Sequence, residues 1–240
     1  MGTRSGVHQQ DPGGGWLIIR RMLLDDIDRG LALCQAAQWN QVRGDWEHLI
    51  AHAECLAAVV DDLVVGTCAL LDSEWIAMML VDPAFRRRLI GEQLLRQALE
   101  LTPSASIGLD ATELGRPLYE RHGFLKSAEI VRWRREGGPC EQPSAKALCR
   151  WRPGHESDHI GPVTASSIHE AANRVLNAVA SNPRRSWILD VPESTGPEWR
   201  RWLDSTGFVP QRRFTRMYRG PAVPMPTNLY ATAGPEFGIN

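Results

Sequence analysis

The stretch Val81-Asp82-Pro83-Ala84-Phe85-Arg86-Arg87-Arg88-Leu89-Ile90-Gly91-Glu92-Gln93-Leu94-Leu95 decides the fold and points to what the chain binds. Ahead of it, the apolar run Ile76-Ala77-Met78-Met79-Leu80-Val81 reads as a buried strand that stops at Pro83. Three arginines follow, and an amphipathic helix begins near Ile90. A strand that feeds a basic turn at a helix N-terminus forms an anion site. Amide N–H groups not committed to the helix point outward there, and the helix dipole adds roughly half a positive charge. A phosphate or pyrophosphate suits such a site best.

Upstream, Trp16 to Arg20 reads as a first strand, and Asp25-Asp26 opens a helix through Ile27, Leu31 and Cys34. A second helical patch covers about Val42 to Ala53. Three apolar runs follow, 55–60, 64–71 and 75–80, broken by Asp61-Asp62 and Asp72-Ser73. Short strands joined by such polar breaks form antiparallel hairpins. Downstream, the helix from Ile90 to Leu101 places Ile90, Leu94, Leu95, Ala98 and Leu101 on one face, with Glu92 and Arg96 paired on the other. Ile107 to Asp110 is a short strand. Leu114 to His122 is a helix ended by Gly123, and Leu125 to Arg135 returns as a strand.

Bulk properties narrow the field. The 240 residues, 43% of them hydrophobic, can bury one large core or two small ones. The net charge of −1 gives no field to draw nucleic acid or an acidic membrane, which also argues against a nucleic-acid role for the arginine triplet. Cys34, Cys55, Cys68, Cys140 and Cys149 are odd in number and lack CxxC spacing, so reduced thiols in the cytoplasm are expected, with no zinc. No apolar run is long enough to span a bilayer. Residues 1–15 are polar and glycine-rich and read as a loose, disordered tail.

Gly137 to Ser144 is the clearest linker. Beyond it, 147–151 and 159–163 read as strands, and Ser167-Ile-His-Glu170 is a capping box for a helix bearing Ala171, Ala172, Val175, Leu176 and Val179. A strand at 187–191, a helix at 197–206 and a strand at 213–218 follow. Arg212, Arg213, Arg216 and Arg219 read as one face of an edge strand, and the proline-rich tail after Gly220 as an extended surface segment. An internal echo links the two parts. Leu109-Asp110, helix, Gly123-Phe124 and a basic strand match Leu189-Asp190, helix, Gly207-Phe208 and a basic strand.

This order of elements resembles the GNAT superfamily of acetyl-CoA-dependent acetyltransferases. Arg86-Arg-Arg-Leu89-Ile-Gly91 is similar to its pyrophosphate loop, (Arg/Gln)-x-x-Gly-x-(Gly/Ala), and Tyr119 followed by Gly123-Phe124 to its second signature. The stretch from Asp110 to Phe124, Trp39-Asn40 with Asp45-Trp46, and His159 to Val163 resemble the YitH/HolE type, as do Phe214 to Gly220 and Tyr230 to Glu236. In that type a second GNAT-like half follows the first.

The resemblance implies a mixed α/β (α+β) fold: a mostly antiparallel GNAT sheet flanked by helices over 16–136, a linker at 137–146, and a partial GNAT-like half over 147–238. The second half lacks an arginine-rich loop, so it is not expected to bind a second CoA. The resemblance also implies acetyl-CoA as co-substrate, held by Met79, Leu80, Val81, Arg86, Arg87, Arg88, Leu89, Ile90, Gly91, Glu92 and Thr112, and Tyr119 as the general acid. A split in the sheet after 79–81 would supply N–H groups to the pantetheine and the thioester carbonyl.

The acceptor would be a primary amine, on a small molecule or a protein, and a homodimer stays open. For the general base the sequence offers Glu74, Asp82, Asp110 and Glu113, with His122 better read as a helix-end residue. Asn40, Trp39 and Trp46 could line an acceptor pocket or pack in the core. Leu89 departs from the pattern, standing where the family has a glycine that brings the backbone close to the pyrophosphate. That departure motivates the alternative of a non-catalytic acyl-CoA-binding or sensor protein.

Overall fold

The computed structural model describes residues 7–10, as backbone, and 15–238. By contacts the chain divides into two compact units, 1–107 and 108–240. The first unit holds β1 (Val7–Gln10), β2 (Trp16–Arg21), α1 (Ile27–Ala36), α2 (Arg43–His52), β3 (Glu54–Val60), β4 (Leu63–Leu71), β5 (Trp75–Val81) and α3 (Ile90–Leu101). Its strands lie in chain order and pair antiparallel throughout. β1 occupies part of the expected loose tail; the rest of that tail, apart from Gly15, lies outside the described residues. Asp61, Asp62, Asp72 and Ser73 all have positive φ, the backbone a tight hairpin requires, so the polar breaks act as the sequence indicates.

Close approach organises the helices of this unit. A Cβ at Gly30 of α1 would stand 2.9 Å from the Trp46 ring of α2, so the glycine is what admits the indole between the helices. Trp46 is fully buried and belongs to the core rather than to an acceptor pocket. Gly66 of β4 plays the same part for α3, whose Leu94 and Ile90 side chains would lie 3.1 and 3.3 Å from any Cβ there. Of the apolar face expected for α3, Ile90, Leu94, Leu95 and Ala98 are buried, while Leu101 at the helix end is exposed.

The second unit is built from β6 (Ile107–Ala111), α4 (Arg116–Arg121), β7 (Leu125–Arg135), β8 (Trp151–Arg152), β9 (Ser157–Ile160), β10 (Val163–Thr164), α5 (Ile168–Ser181), β11 (Ser186–Pro192), α6 (Pro197–Ser205), β12 (Val209–Arg219) and β13 (Leu229–Ala231). Its main sheet runs β6-β12-β7-β11-β9-β8, and β10 pairs with β13. The order alternates between the two copies of the internal echo. β6 and β7 come from the first copy, β11 and β12 from the second, and each basic strand lies beside the aspartate strand of the other copy. Compactness and repeat therefore do not share a seam, because β7 pairs along its length with β11 and β12.

Two buried ion pairs mark this exchange. Arg132 of β7 donates to both carboxylate oxygens of Asp190 on β11, at 2.8 and 2.7 Å. Arg216 of β12 donates to both oxygens of Asp110 on β6, each at 2.8 Å. Each arginine stands eight residues after the phenylalanine of its own Gly-Phe pair, Phe124 or Phe208. β12 is therefore an interior strand, not the expected edge strand, and Arg216 is fully buried. The opposite sheet face is apolar: Val131, Trp133, Leu189 and Val191 pack with Val175 and Val179 of α5 and Trp199 and Leu203 of α6.

Three further expectations change. Of the expected 147–151 strand only Trp151 pairs, together with Arg152 beyond it, while the segment before them is pinned to α5 through Ser144 to Asn173, Asn177 to the Ala145 carbonyl and Arg174 to the Leu148 carbonyl. Ser167 caps α5 as anticipated, but the Glu170 carboxylate reaches Ser166 N and Oγ rather than closing the box on Ser167. The tail after Gly220 does not simply lie on the surface. It returns as β13, accepts a hydrogen bond from Trp199 Nε1 at the Tyr230 carbonyl, and pairs Glu236 with Arg152.

His159, fully buried, joins the Arg132–Asp190 pair through Nε2, 3.1 Å from Asp190 Oδ2. Burial first, and then the Arg152 charge, lower its pKa from 6.5 to about 4. The unfolded chain takes up this proton at the ordinary value, so the contribution is complete above about 6.5 and is lost as pH falls toward about 4. Denaturation midpoints should fall across that window, by up to roughly 3 kcal/mol, and His159→Gln should flatten the slope. Arg216→Leu should cost about 3–5 kcal/mol by stranding Asp110, and the Arg216→Leu/Asp110→Leu double variant should recover much of that loss in urea titrations.

Candidate active site

The basic turn lies wholly in the first unit. Asp82 accepts a hydrogen bond from Ala84 N at 3.0 Å, and Arg29 of α1 reaches both Asp82, at 3.1 Å, and the Val64 carbonyl, at 3.0 Å. These bonds fix the exit of β5 and turn the chain into the arginines. Arg86 donates through Nε toward the Val81 carbonyl at 3.4 Å, and the Arg88 guanidinium stacks over the Phe85 ring at 4.7 Å. Arg87 and Leu89 both adopt the left-handed backbone, with φ of 63° and 62°. Leu89 is the N-cap of α3, so its conformation delivers the chain into the helix.

Leu89 thus takes up the backbone shape for which the family pattern uses glycine. A non-glycine residue there carries a steric cost of about 1–2 kcal/mol. Its side chain is more than half exposed and fills no core position. The disagreement in the motif therefore brings conformational strain and a projecting side chain.

β5 carries a second irregularity. Its register with β4 shifts between Thr67 and Ala69, and Met78 has φ of 50°. This is a bulge, with an extra residue on β5. The hydroxyl of Thr67 donates to the Met78 carbonyl at 2.8 Å and holds it in place. Met79, Leu80 and Val81 follow directly. β5, the turn and the first turn of α3 thereby bring together Met79 to Val81 and Arg86 to Glu92. Ile90 within this group is buried under the helix, and Glu92 pairs with Arg96 at 2.6 Å.

Thr112 and Tyr119 belong to the second unit and stand around Gly115. A Cβ on that glycine would lie 3.1 Å from the Tyr119 ring and 3.5 Å from Thr112 Oγ1. Thr112 Oγ1 accepts from Gly115 N at 3.2 Å, so its side chain is used to open α4. Tyr119 is buried and packs edge-on to Phe124, ring centroids 5.8 Å apart. The Gly-Phe pair is thus part of the tyrosine's setting: Gly123, at φ 81°, turns the chain back so that Phe124 reaches the ring and Phe124 N donates to the Tyr119 carbonyl.

The candidate bases fare unevenly. Asp110 is committed to Arg216, and Asp82 to Arg29 and Ala84 N, so both of these candidates are already engaged. Glu74 and Glu113 are exposed. His122 Nδ1 lies 3.0 Å from the Leu118 carbonyl, the helix-end placement expected for it. Burial pushes the Cys34 and Cys55 thiols up to about 12 and Cys149 to about 11, which holds them protonated and inert as nucleophiles.

Two family models match the chain, both described as an acetyltransferase (GNAT) domain, over residues 51–126 and 147–231. The chain belongs to the GNAT acetyltransferases, a family of acyltransferases that use acetyl-CoA. An acetyltransferase-class structure from Pyrococcus horikoshii is similar over 99% of this chain and 97% of its own, with a TM-score of 0.73 and 19% identity. A GCN5-related N-acetyltransferase from Sphaerobacter thermophilus matches 86% of this chain and 97% of its own, with a TM-score of 0.61 and 15% identity. At these identities the likeness concerns the fold. No curated protein matches the sequence. Among the described residues, no helix is long and apolar enough to cross a membrane, and no cluster of His, Cys, Asp and Glu is suited to a metal ion.

Leu89→Gly should raise stability by about 1 kcal/mol, since it relieves a left-handed non-glycine residue whose side chain is more than half exposed. Thermal or urea denaturation reads this directly. A destabilised variant would mean that the leucine side chain contributes packing after all.

Proposed function

We propose that the chain moves an acetyl group from acetyl-CoA to a primary amine by direct transfer in a ternary complex. The basic turn carries this reading. Two left-handed residues, Arg87 and Leu89, lead three arginines into the N-terminus of α3, where free amides and the helix dipole favour a pyrophosphate. Arg86, Arg87, Arg88 and the amides of 89–92 would hold the CoA pyrophosphate, and the bulged end of β5 at 79–81 the pantetheine.

In the reaction the neutral amine nitrogen attacks the thioester carbonyl, the C–N bond forms, the C–S bond breaks, and the amine proton leaves. Tyr119 would protonate the departing thiolate. Phenols ionise near about pH 10, which suits donation to a thiolate as it forms. Support for Tyr119 comes from its place four residues before Gly123 and from its packing on Phe124, which holds the ring still. Direct transfer rather than an acyl-cysteine route is supported by the protonated thiols of Cys34, Cys55 and Cys149. With Asp82 and Asp110 engaged in ion pairs, a water relay would carry the amine proton away.

Calorimetric titration with acetyl-CoA, followed by thiol release over a panel of amines, tests the reading. Binding and turnover are expected. Binding without turnover would turn the assignment toward a sensor, and absence of binding would sink both. Tyr119→Phe should lower kcat with the acetyl-CoA affinity retained, and an unchanged kcat would remove Tyr119 from the acid role. Arg87→Gln combined with Arg88→Gln should weaken acetyl-CoA binding about tenfold or more, because charge-assisted contacts to phosphate are lost.

A further inference from the structure

Two adjacent residues of β4, Gly66 and Thr67, meet β5 and α3 at once. At Gly66 a Cβ would stand 3.0 Å from the Leu80 carbonyl oxygen of β5, and 3.1 and 3.3 Å from Leu94 and Ile90 of α3. The bare backbone lets α3, whose N-terminus is proposed to take the pyrophosphate, lie close on the sheet. Thr67 is fully buried, and its hydroxyl donates to the Met78 carbonyl at 2.8 Å. All of these contacts lie within the first unit.

Met78 is an unusual place for a methionine. Its φ of 50° is the left-handed conformation, which an L-residue adopts at a steric cost, and its side chain is buried. Between the Thr67–Leu80 and Ala69–Ala77 pairs, Met78 and Met79 of β5 stand against Cys68 alone on β4. A bulge of this kind disrupts the ladder locally, and a buried carbonyl displaced from it needs another donor. The Thr67 hydroxyl supplies one, which a valine of the same shape could not. Beyond the bulge the ladder resumes, with Asp82 N donating to the Val65 carbonyl at 2.8 Å. Amides alternate between the two edges of an antiparallel strand, so those of Met79 and Val81 face away from β4. The bulge sets the phase of this alternation. Without the extra residue the strand would slip by one, and the opposite amides would face that way.

We propose that Thr67 is a positioning residue of the transfer site. By holding the Met78 carbonyl it fixes the bulge, and with it the direction in which the amides of Met79 and Val81 meet the pantetheine arm and acetyl thioester of acetyl-CoA. This role rests on the acetyl-transfer reading. With Gly66 setting how closely α3 approaches, two adjacent residues of β4 govern the spacing between the thioester end and the pyrophosphate end of the site.

Thr67→Val keeps the shape of the side chain and removes the hydroxyl. Calorimetry compares acetyl-CoA with ADP, which carries a pyrophosphate but no pantetheine. The wild-type protein should bind acetyl-CoA more tightly, and Thr67→Val should reduce that preference about tenfold with the ADP affinity retained. In the thiol-release assay its kcat should fall about tenfold or more, because small displacements of the reacting groups are costly. Thr67→Ser, which keeps the donor and loses the methyl, should retain both the preference and kcat even where its melting temperature drops. A hydroxyl that served stability alone would lower the melting temperature of Thr67→Val and leave preference and kcat as in the wild type, which overturns the proposal. A Thr67→Ser variant as impaired as Thr67→Val overturns it too, since the methyl rather than the donor would then matter. Were Thr67→Val not to fold, Thr67→Cys, with a weaker donor in the same place, carries the comparison. A preference for acetyl-CoA that depends on Thr67, without turnover on any amine, would keep the positioning role and bring down the transfer reading. A wild-type protein that does not prefer acetyl-CoA to ADP brings down the positioning role itself.

Discussion

The second unit depends on a crossed pair of buried ion pairs. Asp110 and Asp190 occupy equivalent places in the two copies of the repeat, as do Arg132 and Arg216, and each aspartate takes the arginine of the other copy. A buried carboxylate without its partner is costly, and so is a buried guanidinium. Both charges are satisfied only if β12 enters beside β6 and β7 beside β11. The pairs thereby bias strand order in a way that the apolar face, made of interchangeable Val, Leu and Trp contacts, does not. Pairing across the copies also means that neither copy in this unit completes its polar face alone.

Around that frame the two faces of the sheet divide the work. One face is apolar and takes α5 and α6. The other carries charge: Asp110 with Arg216, Arg132 with Asp190 and His159, and Arg212 beside them. A polar face of this kind adds little net stability compared with an apolar one, since desolvation offsets the Coulomb gain. What it supplies is register and chemistry. In the first unit the same logic is carried by the backbone. The left-handed residues Arg87 and Leu89 and the bulge at Met78 are strained or irregular positions gathered around one strand end, and such positions cluster where a ligand is handled.

Much of this was legible in the residues. The alternating apolar runs, the paired polar breaks at Asp61-Asp62 and Asp72-Ser73, and the buried face of α3 follow from local periodicity and turn chemistry, which act over a few residues. The basic turn was legible for the same reason: Pro83, the arginines and the start of α3 are contiguous. What sequence reasoning missed was non-local. Arg216 read as an edge-strand arginine and Asp110 as a candidate base, because partners more than a hundred residues apart in the chain leave no local mark. One signal was available. The echo places Asp110 and Asp190 in register, and Arg132 and Arg216 each eight residues past a Gly-Phe pair, so matched charges in a repeat hint at matched pairing.

The sequence by itself determined the element types, the two related halves, the basic turn and the tyrosine ahead of Gly123-Phe124. These rest on interactions between neighbours along the chain. Only the tertiary structure decided that the basic strands exchange between copies, that the tail returns as β13, and that Leu89 adopts a glycine's backbone. It also decided that Arg212 faces Arg132 across the β7–β12 register, beside the Asp190 carboxylate that Arg132 holds. Those outcomes depend on which buried charges can be satisfied together, and that is a property of the whole packed sheet rather than of any segment within it.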